Sequence, residues 1–292
     1  MHKFMGYSTF TKLYESCVCP IMEYSSGVWG YDQYNKLDTI QNRASRVFLG
    51  VHRFAPLLAL EGDMGWMSTR YRRWINILRL WNRLTTLNMD RITNHVFIND
   101  FYLAQSGDDN LCANVYRIFS CINEEDLFYN RVPCDIYSVA NKLMHLQEEK
   151  WKNALISKPK LRFYRKFKSC LEVEKYVKYN LTSSQRSVTA QFRAGILPLH
   201  IETGRFRNTK LEDRICTLCN MNDVESEIHF LFDCPCYVNI RQTWLEHIFE
   251  CCCKFNNLIV EEKLRLLFDQ FHRCTAKFIL NCFKIRKELL FQ

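Results

Sequence analysis

The sequence predicts a mainly α-helical protein with a small zinc knuckle embedded in its second half. Three observations predict this class: apolar residues recur at three- and four-residue spacing, glycine and proline are scarce, and Cys and His residues cluster at metal-ligand spacing. Nine Gly and six Pro in 292 residues argue against a sandwich, a barrel or a disordered tail. With 48% hydrophobic residues, the chain is long enough for one large domain or two ordinary ones.

Helical spacing covers most of the N-terminal half. Apolar side chains that recur every three or four residues predict helices over the ranges 4–18, 24–29, 37–48, 57–60, 68–88, 115–122 and 135–156. Asp32 is predicted to cap the third of these helices and Gly50 to end it, while Ser68 is predicted to cap the fifth. The Gly107–Asn110 segment contains paired aspartates, but it precedes a helical pattern. We therefore interpret it as a turn and a cap rather than as a magnesium site.

The second half is predicted to continue as short helices. Ser183 or Ser184 is predicted to cap a helix that stops at Gly195, and 199–201 is predicted to be a short extended segment. Later helical spacing predicts helices over 237–249, 264–271 and 278–285. A change in composition near 157–160 suggests three consecutive parts. These are a helical region at 1–156, a basic segment with the knuckle at 157–245, whose core is 205–237, and C-terminal helices at 246–292.

The metal-ligand spacing is Cys216-x2-Cys219-x9-His229-x4-Cys234. Two cysteines separated by two residues form a turn that presents both thiolates to one ion, and the His and the third Cys can complete a tetrahedron. Three sulfurs and one imidazole fill all four positions, which is typical of structural Zn²⁺. Cys236 is an alternative to Cys234, and we prefer Cys234 for its spacing from His229.

The net charge of +9 is concentrated in one part of the chain. Residues 158–214 contain 14 Lys and Arg against five Asp and Glu, so the rest of the chain is neutral overall. A basic segment that leads into a metal site suggests binding to a polyanion, although a solvated helical face is the alternative. The candidate phosphate contacts, in and just after the loop that begins at Gly204, are Arg205, Arg207, Lys210 and Arg214.

A second group of cations lies in the helix that begins after Ser68. Arg70, Arg72 and Arg73 have no acidic neighbour between Met64 and Met89, so they are a second candidate surface for a phosphate backbone. The alternative is that these arginines pair with acids elsewhere in the fold.

The cysteines and the N-terminus indicate a compartment. Fifteen Cys, an odd number without a regular framework, do not fit a secreted disulfide scaffold. The chain begins without the apolar run of a signal peptide, and no apolar run is long enough to span a membrane. We therefore expect an intracellular protein of the nucleus or cytoplasm, with neither a membrane nor a small-molecule substrate as a partner.

Several short segments together resemble a known family. In chain order they are Val28-Trp29-Gly30, Ile40-Gln41-x-Arg43-Ala44, Leu161-Arg162-Phe163-Tyr164, Phe192-Arg193-x-Gly195, Ile201-Glu202-x-Gly204-Arg205, Arg214-x-Cys216-x2-Cys219 and Val224-Glu225-x-Glu227-x-His229-Phe230-Leu231-x2-Cys234-Pro235-x-Tyr237. They resemble the C-terminal region of LINE-type (non-LTR) retrotransposon reverse transcriptases. The resemblance implies binding of RNA or DNA beside the polymerase portion of a parent protein. The family's catalytic aspartates and nuclease motifs are absent, so we expect no enzyme activity from this chain alone.

Three alternatives remain open from the sequence. One is a protein-interaction module, in which zinc only staples helices and the basic face docks an acidic partner. Another is a non-functional transposon remnant. The third, an enzyme active on its own, would need an open metal site or a placed carboxylate set, and the sequence contains neither.

Overall fold

The computed structural model describes residues 5–179 and 181–290. Its α-helices are α1 (Tyr7–Leu13), α2 (Cys19–Met22), α3 (Ser26–Trp29), α4 (Asn35–Leu49), α5 (Leu57–Met64), α6 (Thr69–Thr85), α7 (Ile92–Gln105), α8 (Leu111–Cys121), α9 (Glu125–Tyr129), α10 (Ile136–Ile156), α11 (Lys175–Lys178), α12 (Ser183–Arg193), α13 (His200–Phe206), α14 (Val238–Cys251), α15 (Val260–Asp269) and α16 (His272–Leu290). No sheet forms within these ranges, where Ile215 and Val224 make an isolated antiparallel bridge. The predicted all-α class is confirmed.

Several predicted helix boundaries follow from local chemistry. The Ser68 hydroxyl accepts the Tyr71 N–H at 3.3 Å at the start of α6. Gly50, with φ of 68°, ends α4 in the left-handed region. The Gly107–Asn110 segment is a turn and cap, because the Asn110 side chain accepts the Ala113 N–H at 3.0 Å. These boundaries were predictable because the deciding contacts lie within a few residues.

Two predicted helix starts differ from the structure. Thr182, and not Ser183 or Ser184, caps α12 in a reciprocal capping box with Gln185. The helix α4 begins at Asn35, further along the chain than the predicted cap Asp32 implies. Serine, threonine and aspartate all suit the cap position, so residue type alone does not decide which of several neighbours begins a helix.

The predicted extended segment at 199–201 is wrong, because α13 begins within it. The His200 N–H, at the start of α13, donates to the Glu225 carboxylate at 2.6 Å. The acceptor of that bond is 25 residues away along the chain, so no local pattern indicates it.

The chain divides into two compact units. The first, here called the knuckle unit, comprises Met1–Thr11, Asn42–Trp66 and Lys152–Gln292. The second, the helical unit, comprises Lys12–Gln41 and Met67–Trp151. These units do not coincide with the three consecutive parts expected from composition, because contacts group 42–66 with the second half of the chain.

Aromatic side chains organise the core of the helical unit. The ring of Trp81 in α6 lies 5.4 Å from Phe97 of α7, 6.1 Å from Phe119 of α8 and 5.6 Å from Phe128 of α9. The helices α7 and α9 were not predicted from the sequence. In α7, apolar Ile92 is exposed while Phe97 is buried, so no single apolar stripe marks the helix. Contact with Trp81 stabilises both helices.

The knuckle unit has its own core, which joins its helices to the cysteine-rich segment. Phe192 of α12 lies 5.5 Å from Phe230, between ring centroids, and Trp244 of α14 stacks on Phe278 of α16 at 4.1 Å. All four side chains are buried. Burial of Phe230 against Phe192 attaches the segment between Cys216 and Cys234 to this core. No helix in the described ranges has both the length and the apolarity needed to cross a membrane.

Candidate metal centre

The first two cysteines lie in a turn closed by backbone hydrogen bonds. The Cys216 N–H donates to the Asp223 carbonyl at 2.8 Å, and the Glu225 N–H donates to the Arg214 carbonyl at 2.9 Å. These bonds flank the isolated bridge between Ile215 and Val224. They hold Cys216 at the base of the turn and leave Cys219 at its half-buried end.

The other two ligands come from a single wide helical turn. His229–Asp233 forms a π-helix, in which the Cys234 N–H donates to the His229 carbonyl at 2.8 Å. A π-turn joins residues five apart, which brings His229 and Cys234 to the same side of the backbone. The following Pro235 has no N–H to continue this turn. The x4 spacing therefore places both side chains toward the cysteine turn.

All four predicted ligands come together. One donor atom from each of Cys216, Cys219, His229 and Cys234 lies within 4.8 Å of all the others, and Cys219 Sγ is 3.4 Å from His229 Nε2. The predicted cluster is confirmed as a group that could hold a metal ion. The Cys236 thiol donates instead to the Leu218 carbonyl at 2.9 Å. The structure thus supports Cys234 as the fourth ligand.

Backbone hydrogen bonds and burial act in opposite directions on the pKa values of the three sulfurs, and burial raises the pKa of Cys219. The backbone N–H groups of Leu218, Met221 and Cys236 hydrogen-bond to the sulfurs of Cys216, Cys219 and Cys234, each from two residues further along the chain. The Cys234 thiol donates to Cys216, which lowers the pKa of Cys216 to about 4 and raises the pKa of Cys234. Protons are shared between these sulfurs, and a bound cation would replace those protons.

Buried arginines brace the cluster from outside. Arg241 donates to the carbonyls of Leu231 at 2.8 Å and of Cys234 at 2.7 Å, which fixes the turn that carries the last two ligands. Arg286 makes two bonds to the Glu225 carboxylate, at 2.9 and 2.8 Å. The sequence-based prediction missed Arg286 because it lies 61 residues from its partner. The one local indication that Arg286 is buried is its position within an apolar helical pattern.

The four cations predicted around the Gly204 loop occupy two kinds of position. Arg205, Arg207 and Lys210 have exposed side chains, although Arg205 also pairs with Glu202 at 2.9 Å. Arg214 instead donates to the carbonyls of Thr209 and Ile201 at 2.7–3.0 Å. These bonds join the first turn of α13 and the loop after it to the start of the cysteine turn. We therefore treat Arg214 as a structural residue and retain the other three as candidate contacts.

The second predicted cationic surface, in α6, is mostly occupied by internal contacts. Arg73 is fully buried and donates to the carbonyls of Gly30 and Asp32, a position that cannot contact a phosphate backbone. Arg72 pairs with Glu23 at 2.7 Å, and the Arg70 guanidinium lies 4.7 Å from the Trp74 ring. The alternative interpretation, pairing with acids elsewhere in the fold, is the observed one for Arg72.

Internal pairing also reduces the charge of the basic segment. Its ion pairs include Lys160–Glu202, Arg162–Glu227, Lys166–Glu261, Lys168–Glu174, Lys175–Asp269 and Arg193–Asp63. Four of the acids, at 63, 227, 261 and 269, lie outside residues 158–214, which contain the excess of Lys and Arg. Much of the local excess of positive charge is therefore structural, and Arg207 and Lys210 remain exposed.

No family model matches the chain, and neither the curated proteins nor the solved structures contain a significant match to it.

Proposed function

We propose that this chain is a nucleic-acid-binding module in which a structural Zn²⁺ holds a basic surface in place. The proposal is carried by one observation: exposed Arg205, Arg207 and Lys210 lie on a segment that Arg214 connects to the metal cluster. Exposed cations held in a defined arrangement are suited to the regularly spaced phosphates of RNA or DNA.

The donor set supports zinc as the ion. Three sulfurs and an imidazole suit a borderline-soft cation that prefers tetrahedral coordination, and four protein ligands would leave no position open for substrate. The role we propose for Zn²⁺ is therefore structural. Its binding would contribute folding free energy of order ~10 kcal/mol to the turn that carries the ligands.

The resemblance to retrotransposon reverse transcriptases provides the biological setting of the proposal. A module within, or derived from, such an enzyme would bind template RNA or target DNA while the polymerase portion of the parent protein performs the chemistry. We propose no catalytic residue in this chain.

Binding of labelled single-stranded RNA across a salt series tests the function. We expect the logarithm of the binding constant to fall with the logarithm of salt concentration, with a slope of about −0.7 per phosphate contact. The double variant Arg205→Ala/Arg207→Ala should reduce the magnitude of that slope by about 0.7 for each phosphate that these arginines neutralise.

The control variant Arg79→Ala/Arg83→Ala removes the same charge from exposed positions of the helical unit. It should leave the slope unchanged, and an equal reduction in both variants would indicate unspecific attraction. Absence of RNA and DNA binding by the wild type at low salt would contradict the proposal. The zinc-stapled protein-interaction module would then be the better hypothesis.

A further inference from the structure

Two exposed phenylalanines line one cleft of the knuckle unit. Phe54, in the connection between α4 and α5, is 70% exposed, and Phe206, at the end of α13, is 79% exposed. The cleft has a volume of about 320 Å³ and is also lined by His52, Lys160, Ile196, Pro198, Glu202 and Thr203. This volume lies within the range of about 300–1,000 Å³ found for small-ligand sites. The sequence-based prediction did not single out Phe54.

The backbone presents both rings from anchored segments. The Phe54 N–H donates to His52 Nδ1 at 3.1 Å, and the buried Ala55 donates its N–H to the His52 carbonyl at 3.0 Å. The Ser187 hydroxyl of α12 donates to the Gly50 carbonyl at 2.6 Å and fixes the start of this connection. At the other side of the cleft, Arg214 donates to the carbonyls of Ile201 and Thr209, which lie before and after Phe206 in the chain. Both phenylalanine rings are therefore exposed from backbone segments that hydrogen bonds hold in place.

The charges around the cleft suit an anion. Glu202 is the acidic side chain that lines it, and its carboxylate lies between Lys160 at 2.7 Å and Arg205 at 2.9 Å, which neutralise it. Arg53 lies 4.7 Å from the Phe54 ring, and exposed Arg207 follows Phe206 in the chain. Cations therefore accompany each exposed ring.

We propose that this cleft binds an unpaired base of a single-stranded nucleic acid against Phe54 and Phe206, while Arg53 and Arg207 contact the adjacent phosphates. Aromatic rings stack on any base, and neighbouring cations neutralise the backbone, which is how single strands are bound without sequence preference. The bases of a duplex are already stacked and are not available to these rings. This inference rests on the proposed function and deepens it, because it specifies single strands.

A comparison of Phe54→Ala/Phe206→Ala with wild type tests the cleft, using a labelled unstructured RNA 12-mer, the DNA strand of the same sequence and the RNA duplex. We expect the double variant to bind both single strands about 5- to 150-fold more weakly, the reduction that corresponds to one stacked base. The salt slope should stay the same, because no cation is removed. Duplex binding should be unchanged.

Two further variants make the result specific. Phe54→Tyr/Phe206→Tyr keeps both aromatic faces and should bind like wild type. Tyr137→Ala removes a 75% exposed ring from the helical unit and should have no effect. If Phe54→Ala/Phe206→Ala binds single strands as tightly as wild type, the proposal for the cleft is wrong and the proposed function remains intact. An equal reduction in duplex affinity would also contradict the proposal for the cleft. Absence of wild-type binding to every probe would contradict both proposals.

Discussion

At the scale of single residues, Cys216 and Cys236 have different roles although both are cysteines of the same segment. Cys216 is a member of the four-ligand cluster, whereas Cys236 donates to a backbone carbonyl. We expect Cys216→Ser to abolish stoichiometric zinc, measured by elemental analysis of purified protein, and to open residues 205–240 to limited proteolysis. Removal of a ligand removes the binding free energy that would order this segment.

Cys236→Ser is the matched control for this experiment. It should keep its zinc and the wild-type proteolysis pattern, because a serine hydroxyl can donate to the same carbonyl. A Cys216→Ser protein with wild-type zinc content and wild-type proteolysis would show that the structural-zinc account is wrong.

Arg193 is a second residue whose role depends on burial. It is 0% exposed and pairs with Asp63 at 3.0 Å and with Glu174 at 2.9 Å. Burial alone would lower the pKa of Arg193, but the two carboxylates outweigh burial and raise it. Tyr164 and Tyr176 also donate their hydroxyls to Asp63, so the acid has several partners in the core.

We expect Arg193→Met to lower the free energy of unfolding of the knuckle unit by about 3–5 kcal/mol, because it leaves the buried Asp63 carboxylate without its counter-charge. Urea denaturation followed by circular dichroism measures the change. Lys175→Met, which breaks a half-exposed pair with Asp269, should cost only about 0–1 kcal/mol. Equal decreases in the two variants would mean that burial does not determine the contribution of Arg193.

At the scale of elements, the residue that caps α12 differs between the sequence prediction and the structure. Thr182 accepts the Gln185 N–H at 3.2 Å, while its own N–H donates to the Gln185 side chain at 3.1 Å. We expect Thr182→Ala to lower the free energy of unfolding by about 1 kcal/mol and Ser183→Ala by less than about 0.5 kcal/mol. Denaturation midpoints of the two variants measure the difference, and the reverse order would restore Ser183 as the cap.

The π-helix at His229–Asp233 shows how one element places two members of the candidate metal cluster. An α-turn would bond Cys234 to the residue after His229, whereas the π-turn bonds it to His229 itself. Arg241 stabilises this wider turn by donating to the carbonyl of Leu231, within it, and to that of Cys234, just after it. The x4 spacing between His229 and Cys234 is therefore the spacing that the π-turn requires.

At the scale of the whole molecule, the two units have separate apolar cores. The core around Phe192 and Phe230 belongs to the knuckle unit, and the core around Trp81 belongs to the helical unit. We expect chelation of the proposed Zn²⁺ to increase amide hydrogen exchange in 200–240 and to leave exchange in 67–151 unchanged. Mass spectrometry of the exchanged peptides measures both regions, and a uniform increase would contradict independent cores.

The sequence by itself determined the helical class, the group of Cys216, Cys219, His229 and Cys234 that could hold a metal ion, the cap at Ser68, the turn at Gly107–Asn110 and the cations after Gly204. Each of these depends on residue type and short spacing. The tertiary structure alone decided that Arg73 and Arg193 are buried, that α13 starts on the Glu225 carboxylate, and that Phe54 and Phe206 share a cleft. The physical reason is that their partners are distant in the chain, and no local pattern specifies which charge or ring will be adjacent after folding.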